Sequence, residues 1–246
     1  MNMLFGLATL FGTSLTLLAG GATGGASNRL DAIVNGLRWH GQAGVSLRSG
    51  GKTVYIDPFM LDREVKLDKA DVVLITHGHA DHLSPDDLKL ICTDATILIA
   101  PDNCHDQLKD IPRARLLALA PGQSASVAGL GVTAVPAYNV VKTKFHPKAN
   151  RWVGYVLDCD GVRIYHAGDT ERIPEMQAIS CDIALLPLGQ TYTMNSVEEA
   201  AQAALDVKAA VAIPIHYGKY EGTDADAKKF QALLKGKLVV RILPKH

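Results

Sequence analysis

The strongest constraint on the fold is a dense run of histidine and aspartate between two segments of different character. Residues 71–76 are mostly apolar and predict a buried strand. Ser84 and Pro85 predict the first turn of a helix, because serine caps helices and proline favours their first position. Between these segments stand four potential metal ligands: His77, His79, Asp81 and His82. Such side chains are costly to bury without partners, so the run predicts a metal-binding turn.

The spacing of these four residues favours two neighbouring metal positions. Side chains alternate in extended backbone, so His77 and His79 share one side and can reach one ion. Asp81 and His82 follow where the chain turns toward the helix, so they can bind an ion at a second, neighbouring metal position. Imidazole and carboxylate ligands suit zinc, manganese or iron, and zinc is the default where nothing indicates redox chemistry.

Composition excludes several other classes of protein. The chain has 246 residues, of which 48% are hydrophobic, so it can bury a core and is not disordered as a whole. Its 25 basic and 25 acidic side chains give a net charge of zero. A zero net charge provides no general attraction to nucleic acid, so we expect a small-molecule substrate instead. The sequence does not indicate an oligomeric state.

The first 28 residues contain no Asp, Glu, Lys or Arg. An apolar stretch at 3–19 is followed by small residues, a pattern typical of an export signal or an anchor. We therefore favour an exported or membrane-anchored protein over a cytoplasmic one, with membrane contact only through residues 1–28. A poorly ordered cytoplasmic leader is the alternative.

The remaining residues, 29–246, contain no linker rich in Pro, Gly or Ser and predict a single domain. Residues 37–59 predict strands joined at Gly50-Gly51, and residues 129–170 repeat the strand, glycine turn, strand pattern. In both halves an alternation of strands and helices follows. This order predicts an α/β fold in which two sheets meet face to face and helices cover the outsides.

The four cysteines form no C-x-x-C pair and mostly adjoin apolar residues. We expect buried free thiols, with one or two disulfides as the alternative in an exported protein. The cysteines are Cys92, Cys104, Cys159 and Cys181.

Several motifs resemble the metallo-β-lactamase superfamily of metal-dependent hydrolases. The H-x-H-x-D-H run at 77–82 is similar to its signature, the stretch at 164–170 is similar to its G-D-T element, and 215–218 is similar to its late histidine motif. The stretch at 53–58 also resembles the group that includes L-ascorbate-6-phosphate lactonase. The resemblance covers roughly residues 37–230 and implies a four-layer αββα sandwich with two similar halves.

The resemblance also implies a role for each matching residue. Two divalent ions, with zinc expected and manganese or iron as alternatives, would be held at a dinuclear site. His77 and His79 would bind the first ion, and Asp81 and His82 the second. Asp169 would bridge both ions, and His216 would complete the second position.

The chain departs from the family pattern at two places. A histidine normally follows the strand before the G-D-T element, but Asn139 stands near that place. Either His146 becomes the third ligand of the first ion, or that ion keeps two histidines and Asp169; we favour His146. The family also often has a Gly-His element where this chain has Gly41-Gln42.

A metal pair of this kind can generate hydroxide from bound water near neutral pH, and the free oxygen of Asp81 could orient it as a catalytic group. We therefore predict hydrolysis of a small ester, lactone or phosphodiester-type substrate. The alternatives are an iron-dependent redox protein resembling a sulfur dioxygenase, and a metal-binding protein without turnover. No G-x-S-x-G motif or G-x-x-x-x-G-K loop occurs, which disfavours a covalent acyl-enzyme and a nucleotide-driven ATPase.

Substrate contacts are expected in two loops. Residues 189–195 follow a predicted strand, and we assign Tyr192 and Thr193 there, with Asn139, as candidate substrate-binding residues. Basic residues around His146 could receive an anionic group, although a solvated basic loop explains them equally well. They are Lys142, Lys144, Lys148 and Arg151.

Overall fold

The computed structural model describes residues 22–246. Residues 1–21 of the expected export or anchor segment lie outside the described residues. Residues 22–28 of that segment belong to helix α1, Ala22–Gly36. No helix in the described range is both long enough and apolar enough to cross a membrane.

The first sheet has six strands in sequential order. The first three strands pair antiparallel, and the third to the sixth pair parallel. The predicted turn at Gly50-Gly51 joins the second and third, and both glycines have positive φ, which glycine adopts without strain. The strands are β1 Arg38–Gly41, β2 Gly44–Ser49, β3 Lys52–Ile56, β4 Val72–Leu74, β5 Ile97–Ala100 and β6 Arg115–Ala118.

The second sheet has seven strands and repeats the same plan. Its first four strands pair antiparallel and its last four pair parallel, again in sequential order. The predicted similarity of the two halves is therefore confirmed at the level of topology. The strands are β7 Ser124–Val127, β8 Leu130–Pro136, β9 Val153–Cys159, β10 Val162–His166, β11 Ile183–Pro187, β12 Val211–Ile215 and β13 Val239–Val240.

Three helices have a side-chain N-cap, and the first of them begins where Ser84 and Pro85 predict it. Helix α2, Pro85–Ile91, is capped by the Ser84 hydroxyl. Helix α3, Val197–Asp206, is capped by Ser196, and helix α4, Asp224–Leu234, by Thr223. Each cap oxygen accepts a hydrogen bond from a backbone N–H of the first turn, which would otherwise lack a partner. Short 3₁₀ helices cover Asp102–Leu108, Lys148–Asn150 and Pro174–Ala178.

The core has two layers because side chains alternate along the buried strands. In β4, Val72 and Leu74 belong to the large cluster between the sheets. Val73 and the following Ile75 point the other way and pack with Leu88 of α2. Helices α3 and α4 pack together, and α3 lies on the second sheet. The expected α/β sandwich, with two sheets inside and helices outside, is therefore confirmed.

The structure contains two strands and one helix that were not predicted from the sequence. Strands β6 and β7 each lie last in their sheet and are partly exposed. Edge strands have one unpaired side and a weak alternation of apolar and polar residues, so their pattern is faint. Helix α1 overlaps the segment expected to be a leader.

The four cysteines agree with the expectation of buried thiols. All four are buried and none is paired in a disulfide. Burial raises the pKa of each thiol to about 12, which makes them poor nucleophiles.

Candidate metal centre

The predicted ligands lie where strands of both sheets end at one edge of the sandwich. Residues 76–82 follow β4, Asp169 follows β10 and His216 follows β12 directly. The Tyr155 hydroxyl of β9 donates to the Ile75 carbonyl at 2.8 Å, which ties the two sheets together below the ligands. Ends of parallel strands carry ligand sites in many open α/β sheets, because loops of several strands meet there.

A buried carboxylate, Asp57, holds the start of the ligand-bearing turn. It accepts hydrogen bonds from the Thr76 backbone N–H at 2.8 Å and from the Thr76 hydroxyl at 2.6 Å. Its Oδ2 also lies 2.7 Å from His82 Nδ1, which aims His82 Nε2 at the centre. Asp57 has a φ of +47°, a conformation that costs a residue other than glycine roughly 1–3 kcal/mol. Asp57 was not among the predicted site residues.

The turn itself brings the first two histidines together as expected. His77 Nε2 lies 3.0 Å from His79 Nδ1. The backbone then reverses, because the N–H groups of His82 and Leu83 both donate to the His79 carbonyl, at 3.0 and 2.8 Å. This reversal brings the His82 ring to 4.0 Å from the His77 ring, centroid to centroid, and ligand atoms of these two residues and Asp169 lie within 4.8 Å of one another.

His146 joins His77 and His79 to form what we call the first group. One ligand atom from each of the three residues lies within 4.8 Å of the others. His146 Nδ1 lies 3.1 Å from the Tyr192 carbonyl oxygen and 3.3 Å from Asn139 Nδ2. These contacts turn His146 Nε2 toward the centre. The structure therefore places His146, rather than Asn139, where a third ligand is expected.

Asp81, His82 and His216 form what we call the second group, with ligand atoms again within 4.8 Å of one another. His216 Nδ1 lies 2.8 Å from the buried carboxylate of Glu221. His216 has a φ of +56°, so its backbone is held in a rare conformation that directs its ring inward. Glu221 was not among the predicted site residues, because no local sequence pattern connects it with His216.

Asp169 lies between the two groups, and each of its carboxylate oxygens faces one of them. Oδ2 lies 3.2 Å from His146 Nε2 and 3.9 Å from His77 Nε2. Oδ1 lies 3.2 Å from both His82 Nε2 and His216 Nε2. Burial alone would raise the pKa of Asp169, but the neighbouring His216 and His82 lower it well below its ordinary value.

Gln42 occupies the place where the family often has a histidine. Its side-chain Nε2 donates to Asp81 Oδ2 at 3.1 Å and lies 3.0 Å from His216 Nε2. Its backbone carbonyl accepts from the His216 N–H at 2.7 Å. Gln42 therefore positions two members of the second group with an uncharged side chain.

The two groups also differ in the pKa values of their histidines. Burial, together with the nearby His82, lowers the pKa of His77 well below its ordinary value. Burial would also lower the pKa of His82, but the carboxylates of Asp169 and Asp57 outweigh this effect and raise it to about 10. The pKa of His216 is also raised well above its ordinary value, because Asp169, Asp81 and Glu221 outweigh the effect of burial.

Comparison with known proteins identifies the family. The model of the beta-lactamase superfamily domain matches residues 43–217. The chain belongs to the beta-lactamase superfamily. A UPF0173 metal-dependent hydrolase of Thermoplasma acidophilum is 37% identical over 205 residues, which cover 79% of this chain and 88% of that protein. This chain is thus also a UPF0173 relative and a metal-dependent hydrolase.

Solved structures show the same fold. A proposed metal-dependent hydrolase from Parabacteroides distasonis has a TM-score of 0.75 and 34% identity, covering 84% of this chain and 91% of that one. Igni18, a metallo hydrolase from Ignicoccus hospitalis, has a TM-score of 0.70 and 25% identity, covering 85% and 94%. The narrower resemblance to the L-ascorbate-6-phosphate lactonase group stays a prediction.

As a member of the beta-lactamase superfamily the chain is expected to hold metal, and its donor atoms fit that expectation. His82 Nε2, His146 Nε2 and Asp169 Oδ1 are buried without a hydrogen-bond partner of good geometry. Buried polar groups rarely remain unpaired in native proteins. Nitrogen and carboxylate donors that converge in this way suit a borderline divalent ion such as zinc.

Of the three candidate substrate contacts, one lines the cavity of this superfamily member and two are buried away from it. Tyr192 lines the cavity above the centre, as expected for a residue that contacts substrate. Thr193 and Asn139 are buried and do not line it. The Thr193 hydroxyl lies 3.0 Å from Glu221 Oε1, and Asn139 Nδ2 donates to the Tyr192 carbonyl at 2.7 Å. Both side chains therefore position other site residues, because buried amide and hydroxyl groups require protein partners.

Proposed function

We propose that the protein hydrolyses a small ester, lactone or phosphodiester-type substrate at a dinuclear divalent-metal site, with zinc as the expected ion. The observation that carries the proposal is the division of Asp169. One carboxylate oxygen faces His146 and His77, and the other faces His82 and His216. A carboxylate placed in this way between two sets of donors is suited to bridge two ions.

The donors divide into two positions that share Asp169. The first group would hold one ion through three imidazole nitrogens. The second group would hold the other ion through two imidazoles and one carboxylate, that of Asp81. Each position would thus have four protein ligands, and an open face of the centre borders the cavity lined by His79, Asp81 and His146.

A bound pair of divalent ions would supply Lewis acidity, which would lower the pKa of a bound water toward neutrality and polarise the substrate oxygen. The chain's own residues supply orientation. Asp81 has a side chain that is 22% exposed and borders the cavity, so it can orient the attacking water. Gln42 fixes Asp81 through its amide N–H. Asp57 and Glu221 fix the rings of His82 and His216.

The test is elemental analysis of the purified protein, followed by a hydrolysis panel of neutral esters, lactones and phosphodiesters. About two zinc or manganese ions per chain, together with turnover, would support the proposal. A single iron with oxygen consumption would replace it with the redox alternative. Two bound ions without hydrolysis of any substrate in a broad panel would indicate a metal-binding protein without turnover.

A further inference from the structure

A cavity of about 320 Å³ opens directly above the metal centre. This volume lies at the small end of the range for small-molecule sites, about 300–1,000 Å³. Half of the ten lining residues belong to the centre itself. The other five carry no charge and are apolar or aromatic: Phe59, Ala80, Phe145, Tyr192 and Tyr220.

The first aromatic wall, Phe59, stands on a loop that a buried carboxylate holds in place. Asp87 is buried at the start of α2 and accepts hydrogen bonds from the backbone N–H groups of Met60 at 3.1 Å and Leu61 at 3.3 Å. Met60 has a positive φ of +58°, so the loop turns sharply just after Phe59. The wall is therefore formed before any ligand binds.

A second part of the wall consists of Phe145 and Tyr192, which contact each other edge to face with ring centroids 4.8 Å apart. Their loops are also held by buried carboxylates. Glu171 accepts from the N–H groups of the loop that leads to Phe145, at Val140, Val141 and Lys142. Glu221 accepts from the N–H groups of Thr191 and Tyr192, at 2.8 and 2.6 Å.

The lysine side chains near the cavity do not line it. Lys142 lies 3.4 Å from Glu171, and Lys148 lies 3.0 Å from Glu175. Lys144 Nζ lies 4.6 Å from the centroid of the Phe145 ring, and Lys219 Nζ lies 5.3 Å from that of Tyr220. Within the described chain, the cavity wall outside the metal centre therefore offers no cation to an anionic substituent.

We propose that this cavity selects substrates whose group beside the scissile bond is uncharged and apolar, such as an aryl or alkyl ester or lactone. The inference rests on the proposed function, because the scissile group must reach the metal centre. Burying an apolar group between aromatic rings is favourable. A carboxylate or phosphate on the same group would lose its hydration and find no partner in the wall.

The test measures binding rather than turnover, so that it is separate from the test of hydrolysis. Three hydroxamic acids, which bind metal through the same group, are titrated calorimetrically into the zinc-loaded protein: acetohydroxamate, benzohydroxamate and 4-carboxybenzohydroxamate. We expect benzohydroxamate to bind about tenfold or more tightly than acetohydroxamate, because its ring enters the cavity. The added carboxylate should weaken binding by about tenfold or more.

Variants of the wall connect the preference to named residues. Phe145→Ala and Tyr220→Ala should each reduce the preference for benzohydroxamate severalfold and leave the affinity for acetohydroxamate unchanged. Phe145→Leu should retain most of the preference, and Lys144→Ala, a matched surface control, should leave all three affinities unchanged. Acetohydroxamate also reports whether a variant has disturbed the metal centre.

Three results would overturn the inference: benzohydroxamate binding no more tightly than acetohydroxamate, the 4-carboxy compound binding most tightly, or no hydroxamate binding to the zinc-loaded protein. Failure of the proposed hydrolysis gives a different pattern. In that case the apolar hydroxamate would still be preferred, but no ester, lactone or phosphodiester would be cleaved.

Discussion

The two groups of donors on either side of Asp169 differ in what lies behind them. In the second group, the outer nitrogens of His82 and His216 contact buried carboxylates, Asp57 at 2.7 Å and Glu221 at 2.8 Å. In the first group, His146 is backed by the neutral carbonyl of Tyr192 at 3.1 Å, and His77 Nδ1 lies 3.0 Å from the Thr76 hydroxyl.

This difference predicts unequal affinities at the two positions. A carboxylate behind a metal-binding histidine fixes its ring and makes it a more basic ligand, whereas a neutral partner only fixes the ring. The second group also includes the carboxylate of Asp81, which adds a negative charge. We therefore expect the second group to bind metal more tightly, and the first group to release its ion first when a chelator is added.

The largest effect is expected for Asp169→Asn, because Asp169 is common to both groups. Loss of its charge should weaken both positions together and reduce hydrolysis on the order of 10³-fold or more. Elemental analysis after gel filtration measures the bound metal, and Asp158→Asn on strand β9 is a surface control. Retention of two ions at full occupancy would contradict the placement of Asp169 between two metal positions.

His146→Ala should remove metal from one position only. The first group would keep two histidines, so we expect the metal content to fall from about two to about one ion per chain, with the second group still occupied. Elemental analysis compares the variant with His105→Ala, a histidine outside both groups. Unchanged stoichiometry would exclude His146 as a ligand.

Glu221→Gln and Asn139→Ala compare the outer contacts of the two groups. Glu221→Gln removes the charge behind His216 and should weaken the second position by roughly 10–100-fold. Asn139→Ala removes a neutral contact and should weaken the first position less. Zinc affinities from competition with a chromophoric chelator measure both. Equal losses in the two variants would show that the backing carboxylate does not set the difference between the groups.

The smallest effect on the metal centre is expected at His40, a buried histidine outside both groups that hydrogen-bonds to Ser46. Its expected effect is on stability. Burial, with help from the neighbouring His246 and Arg38, lowers the pKa of His40 to about 4 from 6.5. As pH falls, His40 is protonated in the unfolded chain near pH 6.5 but in the folded protein only near pH 4. Between these pH values proton binding favours the unfolded state, so the free energy of unfolding is fully present above pH ~6.5 and decreases between about 6.5 and 4. The loss is at most roughly 3 kcal/mol.

His40→Gln should therefore be less sensitive to acid than the unaltered protein. Denaturant unfolding at pH 7 and pH 4.5 measures the change in the free energy of unfolding for both proteins. If the two proteins lost the same stability on acidification, the buried neutral state of His40 would not explain the acid sensitivity.

Much of the fold follows from local patterns that the sequence displays. The apolar run at 72–74, the Ser84 cap and the glycine pair at 50–51 each specify their own element through neighbouring residues. The edge strands β6 and β7 were not predicted, because a half-exposed edge strand has little periodicity. Ser196 and Glu199 have the spacing of a capping box, but only half of it forms, since the Glu199 carboxylate accepts from the Asn195 N–H instead of that of Ser196.

The candidate metal ligands also divide into those that a local sequence pattern predicts and those that depend on distant residues. His77, His79, Asp81 and His82 are close in sequence, so their spacing alone predicted that they act together. The position of His146 beside His77 and His79 depends on a loop that Glu171 holds through three backbone N–H groups. No sequence period relates these residues.

The sequence by itself determined the apolar strand before the histidine run and the start of the helix after it, because the apolar run and the Ser84 cap are local signals. Only the tertiary structure decided which distant residues complete the centre and surround it. Glu221, Asp57 and Gln42 reach the ligands because strand ends of two sheets meet at one edge. Asp57, Gln42 and His216 also adopt positive φ, a conformation costly for any residue other than glycine, which is maintained only by the packed surroundings.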